Sequence, residues 1–157
     1  MQDAYADYYL WVLFSQTRDA ILKVRERELH SQRISERHAQ LLFIIKLIGR
    51  DATPAKISRW LLREPHSISE IIDRMEKQGL LKKVKDMARK NQVRIEVTEK
   101  GQKMYERSFI PKNLIDILSV LKEKERKQFV ASLLKLRQQA IKHVSARYEV
   151  PLPPIDD

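Results

Sequence analysis

No cysteine occurs in the 157 residues, which removes disulfides, thiolate metal sites and thiol redox chemistry together. Glycine is nearly as scarce. Its three copies, Gly49, Gly79 and Gly101, each fall at an expected element boundary. So few glycines cannot build a phosphate-cradling loop or a dinucleotide fingerprint, and the chain has no G-x-S-x-G elbow and no paired-histidine protease motif. The histidines His30, His38, His66 and His143 lack the close pairing of a metal motif. No apolar run approaches the roughly 18 residues of a membrane span. After Met1, the segment QDAYADYYL carries acids where a signal peptide needs positive charge. These absences point to a cytoplasmic protein that is not an enzyme and uses no metal or cofactor.

What is present is charge and helix-forming sequence. A 43% hydrophobic content can supply the core of one domain plus an accessory oligomerisation element. With 33% charged residues and a mean hydropathy of −0.49, the chain has extensive wetted helix surface. The formal net charge is +10 and the pI about 9.9, so the summed field attracts polyanions. Nucleic acid is the leading partner, although an acidic membrane face or an acidic protein satisfies the same arithmetic.

Local signals divide the chain. A first helix is expected over Asp3 to Glu28, with Tyr5, Tyr8, Tyr9, Val12, Ile21, Leu22 and Val24 covering more than one narrow stripe. So much aromatic surface on one flank suggests that part of it meets a second subunit. A second helix starts near Ser35, carries Leu41, Leu42, Ile44, Ile45 and Ile48, and stops at Gly49. Thr53 can cap a third, with Pro54 in the first turn, where its missing N–H costs nothing. Pro65 opens a fourth in the same way. There Ile68, Ile71, Ile72 and Met75 recur at helical spacing, leaving His66, Ser67, Ser69, Glu70, Asp73, Arg74 and Lys77 on wetted faces until Gly79 ends the pattern.

After Gly79 the period shortens to two. LLKKVK and the stretch with Val93, Ile95 and Val97 read as paired strands, joined by the charged loop DMARKN. Thr98 caps the next helix, EKGQKMYERSFI, which Pro111 interrupts before KNLIDILSVL. A last helix, about Lys122 to Arg147, carries Phe129, Leu133, Leu136, Ala140 and Val144 at steps of three and four, which suggests a seam against another helix. The tail VPLPPIDD is proline-rich and expected to be extended.

From Ser35 onward the order is three helices and then a basic hairpin, the arrangement of a winged helix-turn-helix. A major groove about 12 Å wide accepts a helix, and small polar residues at its leading end reach base edges without a clash. His66, Ser67 and Ser69 suit that role. Arg74 and Lys77 fit the phosphate backbone, and Glu70 is a specificity candidate because phosphate repels it unless it meets a cytosine amino group. Between Lys82 and Lys103 eight basic residues stand against Asp86, Glu96 and Glu99, a surplus equal to half the formal charge. A hairpin tip bearing Arg89 and Lys90 can reach an adjacent minor groove. The candidate DNA-contacting set is Thr53, Pro65, His66, Ser67, Ser69, Glu70, Arg74, Lys77, Lys83, Lys85, Arg89, Lys90 and Arg94.

The segments TPAKISRWLLREPHSISEIIDRMEKQGLLKKV and VRIEVTEKG, with IIDRMEKQGLL and VTEKG as the most specific pieces, resemble the MarR-type transcription regulators. Family wings often read D-x-R-D-x-R. Here DMARKN matches at Asp86 but differs at Ala88, Arg89 and Asn91, so Arg89 takes the wing role by position only. The resemblance implies a homodimer whose terminal helices intertwine, and whose winged domains meet successive major grooves of a pseudo-palindromic operator, with half-sites about 10 to 10.5 bp apart or a multiple. It also implies a small aromatic effector held between the dimerisation region and the winged domain. Tyr8, Trp11 and His38 are the candidates to line that pocket, although core and dimer packing remain the simpler roles for the aromatics.

The expected fold is thus mostly α with a small β-hairpin wing. Residues 1–34 form a dimerisation helix and linker, 35–101 the winged helix-turn-helix, and 102–157 further dimerisation helices and the tail. The expected function is sequence-specific transcription regulation, as a repressor. Two alternatives stay open: a basic protein-interaction module, and a non-specific nucleoid-associated DNA binder.

Overall fold

The computed structural model of the chain describes residues 2–85, 92–109 and 111–144. Seven α-helices and one hairpin follow in the order α1 (Gln2–His30), α2 (Glu36–Ile48), α3 (Pro54–Leu61), α4 (Pro65–Lys77), β1 (Leu81–Lys85), β2 (Val93–Val97), α5 (Glu99–Ser108), α6 (Lys112–Ser119) and α7 (Glu123–Val144). The mostly helical fold with a two-stranded wing is therefore as expected. Helix α1 runs slightly beyond its expected ends.

Local chemistry places most boundaries. The Ser35 hydroxyl accepts from the N–H of His38, Thr53 from Lys56 and Thr98 from Gly101, so three helix starts each have a side-chain cap. Pro54 and Pro65 occupy first-turn positions. Helix α4 ends in a Schellman turn, in which Leu80 N–H donates to the Met75 carbonyl at 2.9 Å and Gly79 N–H to Glu76 at 2.8 Å. Gly79 takes a left-handed φ of +72°, a conformation that costs other residues about 1–2 kcal/mol. Between α3 and α4 a leucine does this job: Leu62 turns with φ +49°, and the buried Ser58 hydroxyl braces the turn by donating to the Arg63 carbonyl at 2.7 Å.

The core joins α2, α3, α4 and the hairpin. Leu41, Leu42, Ile44 and Ile45 of α2 meet Ile57 of α3, Ile68, Ile72 and Met75 of α4, and Leu81 and Ile95 of the strands, with Ile71 packed against this group half-buried. Register follows from the period of two, with Leu81 opposite Val97 and Lys83 opposite Ile95 in an antiparallel ladder. The hairpin is tied back to the connection between α2 and α3 by Ile95 N–H, which donates to the Ala52 carbonyl at 2.8 Å.

Outside this core the helices are sparsely covered. Leu29 is the one fully buried residue among the described side chains of α1, while Tyr5, Tyr8, Tyr9, Trp11 and Phe14 are exposed. Helix α7 buries none of its residues, so Phe129, Leu133, Leu136, Ala140 and Val144 form a seam that the described residues leave unfilled. A polar junction joins α1 to the rest. Arg25 pairs with Glu28 at 2.8 Å, approaches Glu36 at 3.7 Å and donates to the Ser108 carbonyl, while Glu28 also accepts from the N–H of Asn113 at 3.2 Å. Burial pushes the Glu36 carboxyl above its usual pKa, against the pull of Arg25.

Gly101 lies inside the first turn of α5 and not at an element boundary. A Cβ there would stand 2.1 Å from the Leu80 carbonyl oxygen and 2.9 Å from Val97 Cγ1, so backbone must move to admit it. Gly101→Ala is therefore expected to destabilise the fold by about 2–3 kcal/mol or more, read as a lowered denaturant midpoint at unchanged slope. A midpoint equal to that of the parent chain would contradict this account of the α5–hairpin contact.

Candidate nucleic-acid interface

With Ile68, Ile72 and Met75 turned inward, α4 has to present His66, Ser67, Glu70, Asp73, Arg74 and Lys77 to solvent, and all six are exposed. The leading end is polar. His66 Nε2 lies 3.0 Å from Glu70 Oε1, one turn on, an ion pair when the imidazole is protonated. Glu70 is thus partly occupied by a neighbour that itself faces solvent. Ser69 is half-buried and its hydroxyl donates to the Pro65 carbonyl at 3.0 Å, so only its acceptor capacity is left for a ligand. Ser67 is free of such a bond among the described residues.

Three of the described cations of the hairpin, Lys82, Lys83 and Arg94, are committed to internal partners. Lys83, expected among the DNA contacts, is held by Asp73 and by Glu76 at 3.2 Å, and its own N–H donates to Glu76 at 3.1 Å. The hydrogen bond to Lys83 holds the Asp73 carboxyl below its usual pKa and, reciprocally, raises the Lys83 ammonium. Lys83 therefore pins β1 to α4. Lys82 and Arg94 both pair with Glu96, at 2.8 and 2.9 Å, and the Lys82 hydrogen bond lowers the Glu96 carboxyl most. Lys85 is exposed at the end of β1. Arg89 and Lys90 lie outside the described residues.

Thr53 and Pro65 sit at the starts of α3 and α4, where Thr53 serves as a cap. Around Thr53 lie three cations outside the expected set, Arg50, Lys56 and Arg59, which line a common cleft with Arg94. Their sequence signal was a concentration of basic residues on both sides of a capped helix start. Asp73 and Glu76 were also passed over as anchors, because their partner is distant in sequence.

The three effector candidates do not come together within one chain. Tyr8 and Trp11 are exposed on the first half of α1, and Trp11 lies about 27 Å along the helix from Leu29, where α1 meets the core. His38 is half-buried at the start of α2. Burial lowers its pKa, and the charge of Arg74 lowers it further.

Comparison with known proteins agrees with this geometry. Residues 34–101 match the family described as winged helix DNA-binding domain. Two structures of the organohalide-sensing RdhR-CbdbA1625 transcriptional regulator, one with 2,4-dichlorophenol bound and one ligand-free, are similar at 28% identity. Each gives a TM-score of 0.83 and covers 97% of this chain and 90% of that chain. A mutant MarR from E. coli in complex with operator DNA matches at 17% identity and TM-score 0.74, over 81% of this chain and 92% of that one. MepR from S. aureus in complex with DNA matches at 21% identity and TM-score 0.73, over 82% and 96%. Comparison with curated proteins gives no match. Among the described residues no helix is long and apolar enough to cross a membrane.

His38 yields a pH prediction with a definite sign. Its folded pKa is depressed below the ordinary histidine value of about 6.5, so its contribution to stability is full above that value and declines as pH falls through the folded pKa. Substituting glutamine at His38 is expected to flatten the fall of the thermal midpoint between pH 7 and pH 5. If H38Q and the parent chain show the same pH profile, His38 is not a buried titrating group.

Proposed function

We propose that this chain, which has the fold of the MarR-family transcriptional regulators and carries a winged helix DNA-binding domain, is a homodimeric repressor of a pseudo-palindromic operator. The observation that carries the reading is the division of α4. One face is locked into the core by Ile68, Ile72 and Met75, leaving the polar end with His66, Ser67 and Glu70 exposed for a major groove. Ser67 and His66 read base edges, while Arg74 and Lys77, further along, fit the backbone. Arg89 and Lys90 at the wing tip approach a minor groove.

Dimerisation explains the uncovered apolar surface. Tyr5, Tyr8, Tyr9, Trp11 and Phe14 on α1, with Phe129, Leu136 and Val144 on α7, are large and exposed in the single chain. That amount of apolar surface marks an interface. Residues 1–34 and 102–157 thus serve as the dimerisation region around the winged unit at 35–101.

A phenolic effector suits the same architecture, as the dichlorophenol-bound relative illustrates. With Tyr8 and Trp11 remote from His38 along their own chain, an effector touching all three has to sit where two chains adjoin. Its binding would favour a dimer whose α4 helices no longer match groove spacing, which shifts the population away from DNA.

Mobility-shift titrations over a range of salt concentrations test this reading. A selected operator is expected to bind ~10³-fold or more above random duplex, and Ser67→Ala or His66→Ala to reorder preferences among sequences. Arg89→Ala should lower the salt slope by about one without changing that order. Lys83→Gln, by contrast, should lower the thermal midpoint and leave the slope as it is. Equal binding to all duplexes points to a nucleoid-coating role, and absence of duplex binding to a protein-interaction module.

A further inference from the structure

Arg25 of α1 faces three acceptors and hydrogen-bonds two of them. Its Nη1 is taken by Glu28 at 2.8 Å and its Nη2 by the Ser108 carbonyl at the end of α5, which leaves Nε for Glu36 at 3.7 Å. That separation is too long for a hydrogen bond. Glu36 Oε2 is sealed from solvent and has no hydrogen-bond partner among the described residues. A carboxylate oxygen in that state costs free energy that a neutral carboxyl largely avoids.

The charges that act on Glu36 come from α1. Arg25 favours the charged form, Glu26 opposes it, and Glu28 competes for Arg25. What α5 and α6 bring to the junction is main chain, the Ser108 carbonyl to Arg25 and the Asn113 N–H to Glu28. The Ser108 hydroxyl is turned aside and donates to the Tyr105 carbonyl at 2.8 Å. Within α2, a place in the first turn favours the carboxylate through the helix dipole. Burial outweighs both attractions and holds the Glu36 carboxyl above its usual range. The same junction is where α1 meets the winged unit, through the small cluster of Leu29, Ile34, Ala39 and Met104.

We infer that Glu36 is a proton-operated hinge between the dimerisation helix and the winged unit: a neutral carboxyl lets α1 and the start of α2 close as in this structure, and its ionisation drives them apart. A carboxyl that binds its proton more readily in the closed arrangement than in water favours closure when protonated and opposes it when charged. Mild acidity therefore closes the hinge. Resting on the dimeric repressor reading, the hinge also sets operator affinity, because a closed junction fixes both copies of α4 relative to the dimer, whereas an open one has to be ordered before both can enter DNA.

The experiment uses the full chain and Glu36→Gln, a neutral isostere. In the parent chain the Glu36 carboxyl carbon, followed by NMR, is expected to titrate above the ordinary glutamate midpoint of about 4.3. The Ile34 and Ala39 N–H groups bond the Leu29 and Ser35 carbonyls at the α1–α2 connection, each at 3.0 Å. At pH 7 their exchange with solvent is expected to be about threefold slower in E36Q, and the two chains to converge by about pH 4. Operator affinity at pH 7 is expected to be about threefold higher in E36Q, the gain that corresponds to a parent junction closed about one third of the time. Histidine titration affects both chains alike and cancels in the comparison. A Glu36 midpoint at or below about 4.3 overturns the inference without recourse to any variant. Equal exchange in the two chains at pH 7 overturns it as well. If exchange differs while operator affinity does not, the hinge is uncoupled from DNA and its regulatory role is overturned. Should neither chain prefer an operator, the repressor reading fails, while the carboxyl titration and the exchange rates still decide the hinge.

Discussion

Helix α4 has only one way to sit. Ile68, Ile72 and Met75 are fully buried against α2, α3 and the strands, and rotating the helix to bury any other stripe would place Glu70, Asp73 or Arg74 in an apolar interior. Each buried side chain of this size contributes about 1.5–3 kcal/mol. Desolvating an unpaired charge costs more than that, so the outward face is selected by what the inside refuses. The Schellman turn at Gly79 and the close approach of Gly101 to Leu80 then carry the chain directly from the end of α4 into the hairpin. Helix α4 and the strands β1 and β2 are consequently tied together by backbone contacts and by Lys83.

Charge acts on that unit in two ways. Part of it is structural: Lys83 bridges β1 to Asp73 and Glu76, and Lys82 and Arg94 share Glu96, so several cations counted from composition are already paired. The remainder is available to a polyanion and is distributed around the start of α3, along the far end of α4 and in the wing. A duplex therefore meets an array shaped by internal ion pairs, and because those three cations and three carboxylates cancel, the formal charge of +10 rests on the remaining side chains.

Features decided within a few residues were legible in the chain. Caps at Ser35, Thr53 and Thr98, prolines at the starts of α3 and α4, the stop at Gly79 and the inward set on α4 all depend on neighbours one helical turn away. Features decided across the fold were not. Nothing local indicates that Lys83 reaches back ten residues to Asp73, that Arg25 gathers Glu28, Glu36 and the Ser108 carbonyl, or that Gly101 is required by a carbonyl two elements earlier. Ser69 shows the same limit on a small scale: its position suggested an open hydroxyl, yet a carbonyl four residues back takes it. The aromatic excess on α1 was legible as surface needing cover, and the described residues leave it exposed.

Hydroxyl-radical footprinting of the full chain on a selected duplex tests the central claim most directly, because it records where the backbone is approached and with what symmetry. Two protected patches related by a two-fold axis, with centres about 10 to 10.5 bp apart or a multiple, are the predicted result. A single patch, or uniform protection at every sequence, would contradict the claim that two copies of α4 enter successive grooves.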